Sequence, residues 1–241
     1  MNPEHDDITG RSILETIKKA ESFNRWLFSR IRPYIQGQTL EIGSGIGNIS
    51  DLLLKENIPV TLSDTDPYYI SYLKNHYEQN SNLKNVYAID LNENGFTEKL
   101  STLKESFDTI VAINVLEHIE SDKLAIENMM YLLKPGGSII ILTPAYSGLY
   151  SQLDKALGHF RRYSKKQLTG LFSDPGLKIK NVSFFNALGT IAWSYAKLRR
   201  LKNIPATEMK LFNLMVPAGK LLDRLVFRKY GLSLVIVGQK I

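Results

Sequence analysis

Glu41, Gly43, Gly45 and Gly47 stand at alternate positions in the segment Thr39-Leu40-Glu41-Ile42-Gly43-Ser44-Gly45-Ile46-Gly47-Asn48. Glycine at this density suits a backbone that must adopt positive φ or pass close to a ligand, where a Cβ would clash. Set between a buried strand and a helix, such a turn aims the free N–H groups of the helix start into a crevice. Asp64 follows Gly43 by 21 positions, at the end of Pro59-Val60-Thr61-Leu62-Ser63-Asp64. In a doubly wound fold that distance suits a carboxylate accepting hydrogen bonds from both hydroxyls of a ribose. Asp66 competes for the part, but Asp66-Pro67 reads as a helix start, with aspartate at the N-cap and proline in the first turn. A dinucleotide fingerprint would place a third glycine at position 48. Asn48 stands there, so the loop is of another kind.

A second group of reactive residues lies downstream, in His159-Phe160-Arg161-Arg162-Tyr163. The histidine can take a proton near neutral pH and is the candidate catalytic base. An arginine offers planar, bidentate donors to a carboxylate or phosphate. One of Arg161 and Arg162 is expected to pair with Asp154 or Glu117, leaving the other for substrate, and Tyr146 opens the same loop. The group reads either as an ion-paired wall or as a substrate contact. Tyr163 precedes a capping box, Ser164-Lys165-Lys166-Gln167, and is expected to staple onto Leu168.

These residues need a scaffold, and apolar periodicity supplies one. Ile13, Leu14, Ile17, Phe23, Trp26, Leu27 and Ile31 recur at helical spacing before Pro33. Strands are expected at Pro59–Asp64, Asn85–Leu91, Phe107–Asn114, Ser138–Pro144, Leu177–Phe185 and Gly231–Lys240, besides the one entering the glycine loop. Phe107–Asn114 is apolar on both faces, as a central parallel strand should be. Helices alternate with the strands, starting at Pro67 and after Ser121, the latter ending at Lys134-Pro135-Gly136-Gly137. Pro175-Gly176 precedes the sixth strand.

The chain of 241 residues is long enough for one sizeable α/β domain. It has no cysteine, which removes disulfides, zinc thiolates, iron–sulfur clusters and a thiol nucleophile. The formal charge of +6 is too small and too spread out to imply nucleic acid. Met1 to Thr9 is polar and does not read as a signal peptide. No apolar run reaches the roughly 18–20 residues of a membrane span, so the expected location is the cytoplasm. No acidic trio suggests a metal site, and none is expected.

The E-x-G-x-G-x-G loop, together with FDTIVAINVLEHI, LLKPGG and the strand that follows, resembles class I S-adenosylmethionine-dependent methyltransferases. The D…GH-x-RRY block is similar to one in a bacterial small-molecule branch of them. The likeness covers about Leu40 to Pro144 well and the rest more loosely. It implies a Rossmann-like, doubly wound, seven-stranded α/β sheet with helices on both faces and the last strand antiparallel between the fifth and sixth. It implies S-adenosyl-L-methionine as cofactor, held by Glu41, Gly43, Ser44, Gly45, Gly47, Asp64, Thr65, Asp90, Leu91 and Asn114. In that likeness Asp90 accepts from the adenine amino group, Leu91 flanks the ring, and Asn114 lies under the methionine part. His118 reads as a structural helix-start residue.

The expected organisation is a single domain: residues 1–36 a helical lid, 37–185 the cofactor-binding core, 186–229 a helical cap and 230–241 the last strand. Part of the lid, near Asn24 to Trp26, is expected to close over the cofactor. The cap is apolar on one side (Trp193, Tyr195, Leu198, Leu201, Phe212, Met215, Leu221, Leu225) and basic on the other (Lys197, Arg199, Arg200, Lys202, Arg224, Arg228, Lys229). It reads as a pocket roof or as a surface for anionic lipid or a lipid-linked substrate. The implied reaction is methyl transfer to a small-molecule acceptor, touched by Tyr146, His159, Arg161 and Arg162. The competing readings are a nicotinamide oxidoreductase and a non-catalytic cofactor-binding subunit. Asn114-Val115-Leu116 lacks the Asn/Asp-Pro-Pro-aromatic signature of enzymes that methylate amino groups of nucleic acids.

Overall fold

The computed structural model describes residues 11, 12, 14–173, 176–201 and 206–241. Ile13, Pro175, Lys202 and the segment Met1 to Thr9 lie outside the described residues. Seven strands form one sheet in the order β3-β2-β1-β4-β5-β7-β6. They are β1 (Thr39–Ile42), β2 (Val60–Asp64), β3 (Leu83–Ala88), β4 (Phe107–Ile113), β5 (Leu133–Pro144), β6 (Leu177–Phe185) and β7 (Ser233–Lys240). β1 pairs in parallel with β2 on one side and β4 on the other, so the chain reverses its winding between β1 and β4. A crevice opens outside the carboxyl ends of strands at such a reversal. β7 inserts antiparallel between β5 and β6, as the family resemblance implied.

Alternation along the strands divides the core into two layers. Ile110, Ala112, Ile139, Ile141, Leu234 and Ile236 face one side. There they meet Ala125, Ile126, Met129 and Leu132 of the helix Asp122–Leu132, and Leu168 of the helix Lys165–Leu171. Val111, Ile140, Leu142, Val235 and Val237 face the other side. They meet Trp26, Leu27 and Ile31 of the helix Glu21–Ile31, Leu53 and Leu54 of Ser50–Lys55, and Leu73 of Pro67–Tyr77. Period-2 side chains on each strand can satisfy both layers only if helices cover both faces.

β3 is shifted from the expected Asn85–Leu91 to Leu83–Ala88, which leaves Asp90 in the loop beyond it, and three further elements differ from the sequence reading. β5 begins at Leu133 rather than Ser138, because Leu133 pairs with Phe107 before a register shift. The N-terminal run is not one helix: residues 14–18 are helical, and the next helix starts at Glu21. The buried Asn24 amide donates to the Ile17 carbonyl at 2.9 Å, closing the end of the first piece where the backbone turns at Ala20. The insertion before β7 holds the helices Ala187–Leu198, Ala206–Leu214 and Val216–Leu225. Its apolar side is only partly covered: Tyr195, Leu198, Leu221 and Leu225 are exposed, Leu198 at 81%.

Candidate functional site

At the carboxyl end of β1 the loop turns on Gly43, Gly45 and Gly47, all at positive φ (68°, 53° and 82°). A Cβ at Gly43 would lie 2.5 Å from Val115 Cγ2, so glycine there lets the loops after β1 and β4 close on each other. A Cβ at Gly47 would collide with the Tyr77 hydroxyl, which hydrogen-bonds the Gly47 carbonyl at 3.2 Å. Asp64, at the end of β2, faces this loop. Its Oδ2 accepts from the Gly45 N–H at 2.9 Å, and its Oδ1 accepts from Thr65 and Asp66 N–H at 2.8 and 3.1 Å. Burial pushes its carboxyl above the usual range, while these three donors work the other way. Asp66 caps the next helix through the Tyr68 N–H at 2.8 Å.

Glu41 is buried under the loop and accepts from the Ser50 hydroxyl. Burial raises its pKa to about 7, against the hydrogen bonds it receives. Ser44, also buried, donates its N–H to the Ser63 carbonyl at 2.9 Å and ties β1 to β2. Ile89, Asp90 and Leu91 continue the wall after β3; the Asp90 carboxylate is exposed and accepts from the Asn92 N–H at 2.8 Å. Asn114, at φ 53° just after β4, anchors its N–H on the Leu142 carbonyl at 2.8 Å. Leu14, Ile17, Asn24 and Leu27 cover the crevice from the N-terminal side.

These residues open on a cavity of about 1090 Å³ that continues past Pro144 to Leu153, Leu157, His159, Phe160 and Arg162. Gly189, Trp193, Tyr195, Leu211, Phe212 and Met215 of the insertion form its roof. On that side a buried carboxylate, Asp154, organises the wall. It accepts from Ser151 N–H and Oγ (2.8 and 3.0 Å), from Arg162 Nε at 2.7 Å, and sits 3.0 Å from His159 Nδ1. These partners hold its carboxyl below the usual range although burial opposes them. Arg162, also buried, donates to the Ala145 carbonyl at 3.2 Å and lies over Trp193, 4.2 Å from the ring centre.

The second arginine is not left for substrate, as the sequence reading had it. Arg161 donates to Asp122 Oδ2 at 2.9 Å and to the Glu120 carbonyl at 2.8 Å, and its own side chain does not line the cavity. Tyr146 also turns away and stacks on Phe184, with ring centres 5.4 Å apart. Tyr163 is buried beside Leu168, its hydroxyl 3.0 Å from Asp122 Oδ2. Two residues not expected in the wall are there: Glu117 and His118. They belong to a short 3-10 turn, Leu116–His118, and the His118 ring meets that of His159 edge-on, with centres 4.7 Å apart. The Glu117-His118 pair directly after β4 was the available signal. His159 is 42 positions from Glu117, and only the fold brings them together.

Residues 40–139 match a family described as "Methyltransferase domain". Residues 40–139 thus carry a methyltransferase domain. Over 184 residues (70% of the chain) it is 28% identical to probable polyketide synthase 40 of Dictyostelium discoideum, covering 7% of that protein. Over 104 residues (43% of the chain) it is 33% identical to the ubiquinone biosynthesis O-methyltransferase of Coxiella burnetii, covering 42% of that one. The chain thus spans under half the length of either relative. Its fold matches a SAM-dependent methyltransferase from Archaeoglobus fulgidus with TM-score 0.59 at 19% identity, over 90% of this chain and 94% of that one.

The methyltransferase domain fits its cofactor on structural grounds. The positive-φ glycines bring bare backbone to the crevice, and Asp64 keeps one lone pair, on Oδ2, for a hydroxyl donor beyond its three backbone bonds. Glu41 is one of the groups whose protonation the crevice disturbs most within the ordinary pH range. With a folded pKa of about 7 against 4.5 in the open chain, its cost to stability appears as pH rises from about 4.5 and is complete above about 7. Glu41→Gln should therefore gain stability over the wild type between pH 5 and pH 8, by on the order of 1–3 kcal/mol, read from urea denaturation without added cofactor. An equal difference at both pH values would contradict this.

Proposed function

We propose that this protein moves the methyl group of S-adenosylmethionine onto O, N or C of a small, largely apolar acceptor. The observation that carries the reading is the continuity of the cavity. The cofactor crevice at Gly43, Asp64 and Asn114 runs without interruption into the chamber walled by Leu153, Leu157, Phe160, Trp193 and Phe212. When bound, the cofactor supplies a sulfonium-activated methyl carbon, and in-line displacement then needs chiefly alignment of the two reactants. Asp64 and the glycine loop would hold the nucleoside end, Asp90 and Leu91 the base, and Asn114 the methionine end. Glu117, His118, His159 and Arg162 would receive the acceptor's polar group in an otherwise apolar chamber. A nicotinamide ligand suits the loop less well, since Asn48 replaces the third glycine.

Calorimetric titration with S-adenosylhomocysteine tests the cofactor half of this reading. Micromolar binding, weakened by about 1–3 kcal/mol in Asp64→Ala, is the expected loss of buried, charge-assisted hydrogen bonds. Binding of NAD in its place, or none of either, would sink it.

A lipid-borne acceptor is favoured by the insertion. Residues 187–230 hold nine Lys or Arg and two Asp or Glu, a net +7 against +6 for the whole chain. Ile191, Leu198, Leu211 and Leu214 are exposed on the two helices that roof the cavity, and Leu221 and Leu225 on the helix that follows. Among the described residues no helix is long and apolar enough to cross a membrane, so contact would be peripheral. Apolar side chains flanked by lysine and arginine suit the boundary of an anionic bilayer. The protein should sediment with vesicles containing phosphatidylglycerol and be released by salt. Equal recovery with neutral vesicles, or none with either, would remove this reading.

A further inference from the structure

Glu117, His118 and His159 meet at the floor of the acceptor chamber, with one donor atom of each within 4.8 Å of the others. Two of the three have one polar atom already engaged. Thr143 Oγ1 donates to Glu117 Oε2 at 3.1 Å, whereas Glu117 Oε1 is buried with no hydrogen-bond partner. His159 Nδ1 lies against Asp154 Oδ1 at 3.0 Å, and this leaves Nε2.

Two imidazoles, that of His159 fixed through its second nitrogen, beside a carboxylate with an orphaned oxygen, have the donor chemistry of a transition-metal site. Metal-ligating histidines are held in this way by a carboxylate or a backbone carbonyl, which sets the tautomer and the ring orientation. A buried carboxylate oxygen without a donor calls for a proton or a cation. Arg162 does not fill the gap, because its guanidinium is matched by Asp154 and the Ala145 carbonyl.

We propose that Glu117, His118 and His159 bind a divalent transition cation of the zinc, manganese or ferrous class. Two nitrogens and one carboxylate oxygen suit such ions, whereas calcium and magnesium prefer all-oxygen sets. Metal–ligand bonds of about 2.0–2.2 Å at tetrahedral angles put donors about 3.3–3.6 Å apart, so closing the cluster draws these side chains together by up to about 1.5 Å. Three protein ligands leave coordination positions facing the chamber. Any catalytic consequence rests on the methyl-transfer reading: the cation would polarise an acceptor hydroxyl. Its O–H proton would leave to water and its oxygen would bond the methyl carbon as the carbon–sulfur bond breaks, with the electron pair remaining on sulfur. The binding itself does not depend on that reading.

The test is titration of the chelator-treated full chain with cobalt(II), followed by visible absorption. One equivalent should give the d–d bands of a nitrogen-ligated ion, displaced by zinc. Glu117→Gln, chosen because it preserves shape, should weaken binding by about 10–100-fold, while His76→Ala, remote from the cluster, should leave it unchanged. His118→Ala and His159→Ala should lose the bands, with circular dichroism reporting whether they fold. No saturable site in the wild type, or the same affinity in Glu117→Gln, would overturn the proposal. S-adenosylhomocysteine titrated in parallel separates the two readings: cobalt bound without it sinks methyl transfer alone, and the converse sinks the metal site alone.

Discussion

The carboxylate of Asp64 holds together the two strand ends on which the crevice depends. Its three backbone hydrogen bonds reach across to Gly45 in the loop after β1 and back to Thr65 and Asp66 after β2. A glycine loop with three positive-φ residues has many conformations open to it, and a fixed acceptor selects one. Ser44 repeats the tie through Ser63, Tyr77 pins Gly47, and Val115 closes against Gly43. The crevice is thus shaped before any ligand enters. The preorganisation costs burial of two carboxyl groups, Glu41 and Asp64, whose pKa values both rise.

Asp154 does the corresponding work on the acceptor side. It draws His159, Arg162 and the start of the helix Gln152–Ala156 around one buried charge. Removing one partner of such a buried pair leaves an uncompensated charge, at about 3–5 kcal/mol. The arginine thus holds the wall together as well as lining the chamber. Between the two carboxylates lies the turn after β4, which presents Asn114 to one side and Glu117 and His118 to the other. Under the proposed function, cofactor and acceptor groups would meet over a single strand end.

The sheet and the crevice were legible because each rests on local pattern. Alternation reported the strands, glycine spacing the loop, and Asp66-Pro67 the cap that freed Asp64 for the crevice. What the sequence could not rank was choice among partners distant along the chain. Arg161 and Arg162 are neighbours with the same side chain, yet one meets Asp122 and the other Asp154. Tyr146 faces Phe184 because its backbone turns at φ 62°, which no side-chain pattern announces. His118 read as a helix start and does lie in a helical turn, but the loop carrying His159 folds over it. The amphipathic insertion was visible in the spacing, though spacing does not say whether an apolar stripe will be covered. Leu198 and Leu214 remain exposed at 81% and 77%.

The central claim is that S-adenosylmethionine occupies the crevice between the β1 loop and Asp64. Ultraviolet cross-linking of methyl-labelled S-adenosylmethionine to the full chain, with the labelled peptide identified by mass spectrometry, tests it most directly. The account predicts saturable labelling within the segments around Glu41 to Asn48, Asp64 to Asp66 or Ile89 to Asn92, abolished by excess S-adenosylhomocysteine. Saturable labelling confined to another part of the chain, or labelling that competitor does not reduce, would contradict it.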